Sequence, residues 1–199
     1  MATITRLSQL DMNATYSYAD YLLWKLKERV ELFKGKIMEM SPAPNRFHQV
    51  VSLNLTGMLW YKFQNHPCNL YSAPFDVRLL NKKKSTPDNE VYTVVQPDLC
   101  VICDKSKLDD RGAFGAPDLV VEILSPGNSK KEMGVKFDLY EEAGVKEYWI
   151  VEPNQKMVIV YQLVKGRYQN HKPLIEDEKI ISPLFPELDF KVKEIFKEK

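Results

Sequence analysis

The sequence predicts an α/β (α+β) protein built on a mixed β-sheet flanked by helices. Two observations predict this. Strands outnumber helices along the chain, and one helical stretch at 129–144 sits between apolar strands at 118–125 and 147–152. A helix inserted into a strand-rich chain covers a face of the sheet its neighbouring strands build.

The elements follow in order. "YSYADYLLWKLKE" (16–28) reads as a short N-terminal helix, and "RVELFKGKIMEM" (29–40) as a hairpin turning near Lys34-Gly35. "SPAP" breaks the pattern. Over 45–66, Phe47, Val50, Val51, Leu55, Met58, Leu59 and Phe63 recur at helical spacing, with Asn45 as N-cap. Strands are expected at about 68–80 and 91–103, joined by the charged turn "NKKKSTPDNE", and 104–117 reads as a loop. The strand "APDLVVEILSP" comes next, then the helix 129–144, which Gly144 closes. "KEYWIVEP" and "MVIVYQLV" pair around Asn154, and short strands in "RYQNHKPL" and near 179–192 end the chain.

A chain of 199 residues is long enough for one domain with a substantial core, and one is expected over 1–199. Its parts are a helix and hairpin at 16–40, a core at about 45–165 and C-terminal strands at 166–199. The 28 basic and 27 acidic residues leave a net charge of +1, so nucleic-acid contact would have to come from local basic patches. Such patches are Lys82-Lys83-Lys84, Lys105 with Lys107, and Lys130-Lys131; each alone reads as solvated charge. No apolar run approaches a membrane span and no secretory signal is visible, so the expected location is cytoplasmic, with no membrane partner. Three cysteines imply no disulfide framework, and Cys100 and Cys103 on one strand face opposite sides, against a zinc site. His48 at a helix start reads as a structural histidine, and His66 and His171 show no ligand spacing with it.

Acids on apolar strands carry the chemistry. Asp98 follows Pro97 in "VVQPDLCVICD", and Glu122 lies mid-strand in "APDLVVEILSP", where a buried ionised carboxylate is costly unless compensated. Two carboxylates on adjacent strands make a site for a hard cation such as Mg2+, which keeps several waters and needs few protein ligands. Lys136, 14 residues beyond Glu122 on the next helix, would orient water or offset developing negative charge; its alternative is an exposed helix lysine. Glu31 in the hairpin is a third acid, or a solvated one, and Arg29 is expected on its face only if that strand is irregular. Asp118 shares Glu122's face but lies about 13 Å away along the strand. It reads as a strand-entry residue bonding backbone N–H groups.

"YADYL", "VELFKGKIMEMSP", "FHQ", "QPDLCVI", "APDLVVEILSP" and "KFDLYEEAGVKEYWIVEP" together resemble the Uma family of the PD-(D/E)XK nuclease superfamily, from about 17 to 190. The resemblance implies a restriction-endonuclease-like core that hydrolyses phosphodiester bonds of DNA as an endonuclease, with Mg2+ or Mn2+ as cofactor. It implies Asp98, Glu122, Lys136 and Glu31 as catalytic residues, with Asp98 and Glu122 on the metal. Cutting both strands of a duplex with one site each implies a homodimer. One departure stands out: the superfamily's lysine, two residues past the acid, is Leu124 here. Lys136 would replace it from the helix. The same departure keeps open a non-catalytic nucleic-acid-binding or assembly module on this fold, or a structural domain with internally paired acids.

Overall fold

The computed structural model describes residues 3–40, 45–80, 87–125, 130–170 and 172–198, with the side chains of its long second-half helix described from Met133 onward. The Lys82–Lys84 patch, the side chains of Lys130 and Lys131, and His171 lie outside the described residues. The elements are α1 (Tyr18–Tyr21), β1 (Val30–Phe33), β2 (Lys36–Glu39), α2 (Arg46–Phe63), β3 (Asn69–Ser72), β4 (Val77–Arg78), β5 (Val94–Val95) and β6 (Leu99–Ile102). There follow β7 (Leu108–Asp109), β8 (Gly112–Phe114), β9 (Leu119–Ile123), α3 (Lys130–Ala143), β10 (Glu147–Glu152), β11 (Met157–Val164), β12 (Arg167–Asn170), β13 (Leu174–Ile175) and α4 (Val192–Ile195).

The mixed sheet flanked by helices is present, and a second mixed sheet packs on it. The larger sheet runs β12-β11-β10-β9-β6-β3, with β13 beside β11; the smaller runs β2-β1-β5-β4-β8-β7. In the larger, β6 meets β9 antiparallel, while β9 and β10 are parallel because α3 crosses between them. Alternation along β9 divides its side chains between two apolar layers. Leu119, Val121 and Ile123 pack with Val51, Leu55, Leu59 and Phe63, the buried stripe of α2. Val120 faces the other way, with Leu139 and Tyr140 of α3 and with Phe33, Val77 and Val95 of the smaller sheet. Glu122 belongs to this second side. Its layer is therefore roofed by both a helix and a sheet, which sets up the site.

Local chemistry accounts for the elements that match expectation. Asn45 caps α2, its side chain accepting from the His48 N–H at 2.8 Å. The β1–β2 hairpin turns through Lys34 (φ 50°) and Gly35 (φ 82°); a Cβ at Gly35 would stand 2.4 Å from Cγ2 of Thr15. Gly144 (φ 88°) ends α3 by donating to the Tyr140 carbonyl.

Four expectations need correction. The helix at 16–28 is a single turn capped by Ser17, after which Trp24 and Leu26 turn inward while Lys25 and Lys27 stay exposed. That two-residue alternation suits extended chain against a core. The loop at 104–117 contains the hairpin β7–β8, where Gly112 (φ 126°) allows so close an approach to Asp76 that a Cβ would lie 2.2 Å from its carbonyl oxygen. The strands near 179–192 reduce to one bridge, Lys179 to Lys191, and α4, whose Val192 and Ile195 seal the α2 layer. Finally, Cys68 and Cys103 form a disulfide: the β3–β6 register of Asn69 with Ile102, carried one residue on, sets them opposite each other. Cys100, on the opposite face of β6 as expected, is the buried free thiol that makes the count odd.

Candidate active site

Four elements, β1, β6, β9 and α3, deliver the acids and their cation to one place. The β6–β9 register pairs Leu99 with Val121, so one residue further Asp98 stands directly across from Glu122. Like charges in a cross-strand pair repel. Glu31 comes from β1 in the smaller sheet and is 2% exposed. Lys136, from the underside of α3, places Nζ 2.9 Å from Oε1 of Glu122 and 3.1 Å from Oε1 of Glu31. The structure thus joins Glu31, Glu122 and Lys136 by direct contact and sets Asp98 beside them. Lys136 is 7% exposed, so it is not a solvated helix lysine, nor is Glu31 a solvated hairpin acid.

The electrostatics follow from burial and crowding. Burial pushes the Glu122 carboxyl up, to about 7, opposed by the Lys136 ammonium and the Tyr140 hydroxyl and reinforced by Asp98 and Glu31. Burial alone would lower Lys136, but Glu122 and Glu31 outweigh it and hold the ammonium charged far into the alkaline range. Tyr140 donates to the same Oε1 of Glu122 at 2.7 Å. Lys136 and Tyr140 are four residues apart, one helical turn, so they reach one acceptor from one face.

Each remaining acid is held by backbone. Glu31 Oε1 accepts from the Gln96 N–H at 2.7 Å, and Asp98 Oδ2 accepts from the Ile123 N–H at 2.8 Å. His48 Nε2 lies 3.1 Å from the Ile123 carbonyl and 3.5 Å from Oδ1 of Asp98. Burial works against charge on His48, yet the Asp98 carboxylate raises its pKa overall. Its Nδ1 has no hydrogen-bond partner among the described residues, so it is structural on one nitrogen only. Asp118 stands apart, accepting from the Cys103 N–H at 2.8 Å and from Lys146 at 2.6 Å, the strand-entry role expected of it.

The sequence reading missed a polar layer behind Glu31. The Gln96 amide donates to Oδ1 of Asp76 at 2.7 Å and to the Tyr21 hydroxyl at 3.3 Å, and its carbonyl accepts from Arg29. Burial raises the Asp76 pKa; Gln96, Arg78, Tyr18 and Tyr21 pull it back. Arg29 does share the face of Glu31, and on a regular strand. The Met40 N–H bonds the Arg29 carbonyl and so extends the β1–β2 ladder, in which residues two apart point the same way. The signal was present in "QPD" and in "RVE"; the contacts to Asp76 had none.

As for metal, the described residues contain no group of three or more His, Cys, Asp or Glu arranged to hold an ion. The space between Glu31 and Glu122 is filled by Lys136. The cross-strand pair of Asp98 and Glu122 is a hard oxygen donor set in which burial, and then the neighbouring Asp98 carboxylate, raise Glu122, and two carboxylates suffice for an ion that keeps its waters. That pair fits a hard divalent cation.

The fold thus places acids on adjacent central strands of a mixed sheet, with a lysine from the crossover helix. The chain belongs to the Uma2 family, described as "putative restriction endonuclease", whose family model matches residues 18–193. It is similar to a solved structure titled as a putative nuclease belonging to DUF820 from Anabaena variabilis ATCC 29413, with TM-score 0.69 and 20% identity over 90% of this chain and 97% of that one. It is also 26% identical, over 145 residues and 71% of each chain, to the uncharacterized protein slr1290 of Synechocystis sp.. Among the described residues no helix is long and apolar enough to cross a membrane.

Proposed function

We propose that the chain is a divalent-cation-dependent endonuclease hydrolysing phosphodiester bonds of DNA. The observation that carries the reading is the convergence of Glu31, Glu122 and Lys136 from two sheets and a helix, with Asp98 across the strand pair. Asp98 and Glu122 would hold Mg2+ or Mn2+. Such an ion supplies polarisation of the phosphoryl group and a water acidic enough to attack near neutral pH. The chain's own residues orient and charge the site. Lys136 stays an ammonium and offsets negative charge that builds on the phosphoryl oxygens. Glu31, fixed by the Gln96 N–H, anchors that ammonium, and Tyr140 fixes the carboxylate of Glu122.

The test is cleavage of duplex and single-stranded DNA by purified protein with Mg2+ or Mn2+. Activity should disappear in Glu122→Gln and in Asp98→Asn; cleavage persisting in both variants refutes the assignment. The second reading, a non-catalytic nucleic-acid-binding module, draws on Lys136 being ion-paired to both glutamates and on Leu124 at the usual lysine position. DNA binding with no metal-dependent cleavage would favour it. Cutting both strands with one site per chain calls for a homodimer, which sedimentation with and without DNA would detect.

A further inference from the structure

We propose that Arg29, with Lys27 and Lys25 leading up to it, is a phosphate-binding rim that seats a DNA strand beside the acidic site. The inference rests on the nuclease reading above and adds the surface by which the strand enters.

The three cations are exposed and occur at two-residue intervals, ending two residues before Glu31. Trp24 and Leu26, between and before them, pack into the N-terminal apolar layer, which keeps the lysines outward. None of the three has an ion pair among the described residues, and neither does the exposed Glu28 between Lys27 and Arg29. Other surface cations divide between paired ones, such as Lys34 with Glu142, Arg46 with Glu198 and Lys62 with Asp189, and ones with no ion pair among the described residues, such as Lys105, Lys156 and Lys165, so what sets this stretch apart is its regular spacing and the fixed Arg29.

Arg29 is more than a surface charge, because it is fixed. Its Nε and Nη2 donate to Oε1 of Gln96 at 3.2 and 2.6 Å. Gln96 is 9% exposed, and its amide orientation is decided by Asp76, which can only accept from the Nε2 side. The fork is therefore held at one edge, and three of its five N–H donors have no partner among the described residues. A pre-oriented guanidinium with spare donors suits a phosphodiester's paired oxygens. The Gln96 that holds Arg29 also donates its backbone N–H to Glu31, so the clamp and the acid that anchors Lys136 share one support. With a net charge of +1, backbone affinity has to come from a local rim of this kind.

The test is fluorescence anisotropy of labelled DNA in EDTA, so that no cleavage enters, across a series of salt concentrations. The triple variant Lys25→Gln/Lys27→Gln/Arg29→Gln is compared with Lys156→Gln/Lys165→Gln/Lys179→Gln, which removes the same charge at exposed positions elsewhere. Loss of three phosphate contacts should flatten the slope of log K against log salt by roughly 2–3. Arg29→Lys should retain the slope but lower cleavage more than binding, because charge survives and the fork does not. A rim triple variant that binds like the control triple, while wild type binds DNA, overturns this proposal and leaves the nuclease reading standing. Wild type that binds no DNA in EDTA and cleaves none with Mg2+ or Mn2+ overturns both.

Discussion

Replacing Lys136 by Met should unmask the charge the site is built around. The ammonium lies 2.9 and 3.1 Å from two carboxylates. At an effective dielectric of about 20, each contact is worth about 5 kcal/mol before desolvation. Met relieves the cost of burying the ammonium, so the net loss is smaller, about 3–5 kcal/mol, the usual penalty for orphaning a buried partner. The loss depends on pH with a definite sign. Without the ammonium, the folded-state pKa of Glu122 rises further above its unfolded value. An acid whose folded pKa is raised costs stability as pH climbs from the unfolded pKa through the folded one, because the folded state must surrender a proton it retains more tightly. Urea denaturation should therefore show Lys136→Met close to wild type near pH 4.5 and most destabilised at pH 8. The double variant with Glu122→Gln should recover part of the loss, a coupling that a double-mutant cycle would measure. A penalty that is flat in pH, or under about 1 kcal/mol at pH 8, would refute the view that Lys136 is the internal counter-ion of these two acids.

Other changes separate the roles of the neighbouring groups. Tyr140→Phe removes a donor 2.7 Å from Glu122 and should cost about 1–3 kcal/mol, read by thermal denaturation at pH 8. The same variant should shift the acid limb of any pH–rate profile upward, since the hydroxyl stabilises the ionised carboxylate. In wild type activity should be lost on the acid side, as Glu122 takes up its proton. Asp118→Asn keeps an acceptor for the Cys103 N–H and loses only the ion pair to a lysine 61% exposed, so stability should change by less than about 1 kcal/mol and cleavage should not change. A large loss of cleavage in Asp118→Asn would place it in the site after all.

What could be read in the sequence followed the range of the interactions involved. Helix α2 and the β1–β2 hairpin announce themselves through an N-cap, a turn and a periodicity, all within a few residues of one another. The one-turn α1 does not: its 16–28 stretch has helical composition, but Trp24 and Leu26 gain more from an extended path against Leu10, Val30 and Val91. The β7–β8 hairpin depends on Gly112 meeting Asp76, 36 residues earlier by number, and no local pattern encodes that. The site divides in the same way. Asp98, Glu122 and Lys136 stand out as acids on apolar strands and a lysine on the following helix. The bond from Gln96 to Glu31 spans 65 residues, and the Asp76 contact depends on it, so that layer is visible only in space.

The position of Leu124 acquires a physical meaning once Lys136 is in place. Leu124 follows Glu122 on the same side of β9 and packs against the layer containing Leu139, Tyr140 and Tyr148. Its N–H bonds the Val151 carbonyl, so the backbone there is committed to the β9–β10 pairing. A lysine at that point would put a charge into an apolar contact beneath α3. Moving the ammonium to α3 keeps that contact and makes Glu122 an acceptor for two consecutive turns of the helix, through Lys136 and Tyr140. The acid therefore helps set how α3 sits on the sheet, and α3 in turn determines where the charge lies. The geometry of the acid cluster and the docking of the helix become one equilibrium. Glu122→Gln, which keeps the shape and the Tyr140 acceptor, is consequently the substitution able to report on charge without displacing the helix, whereas Glu122→Ala would disturb both together.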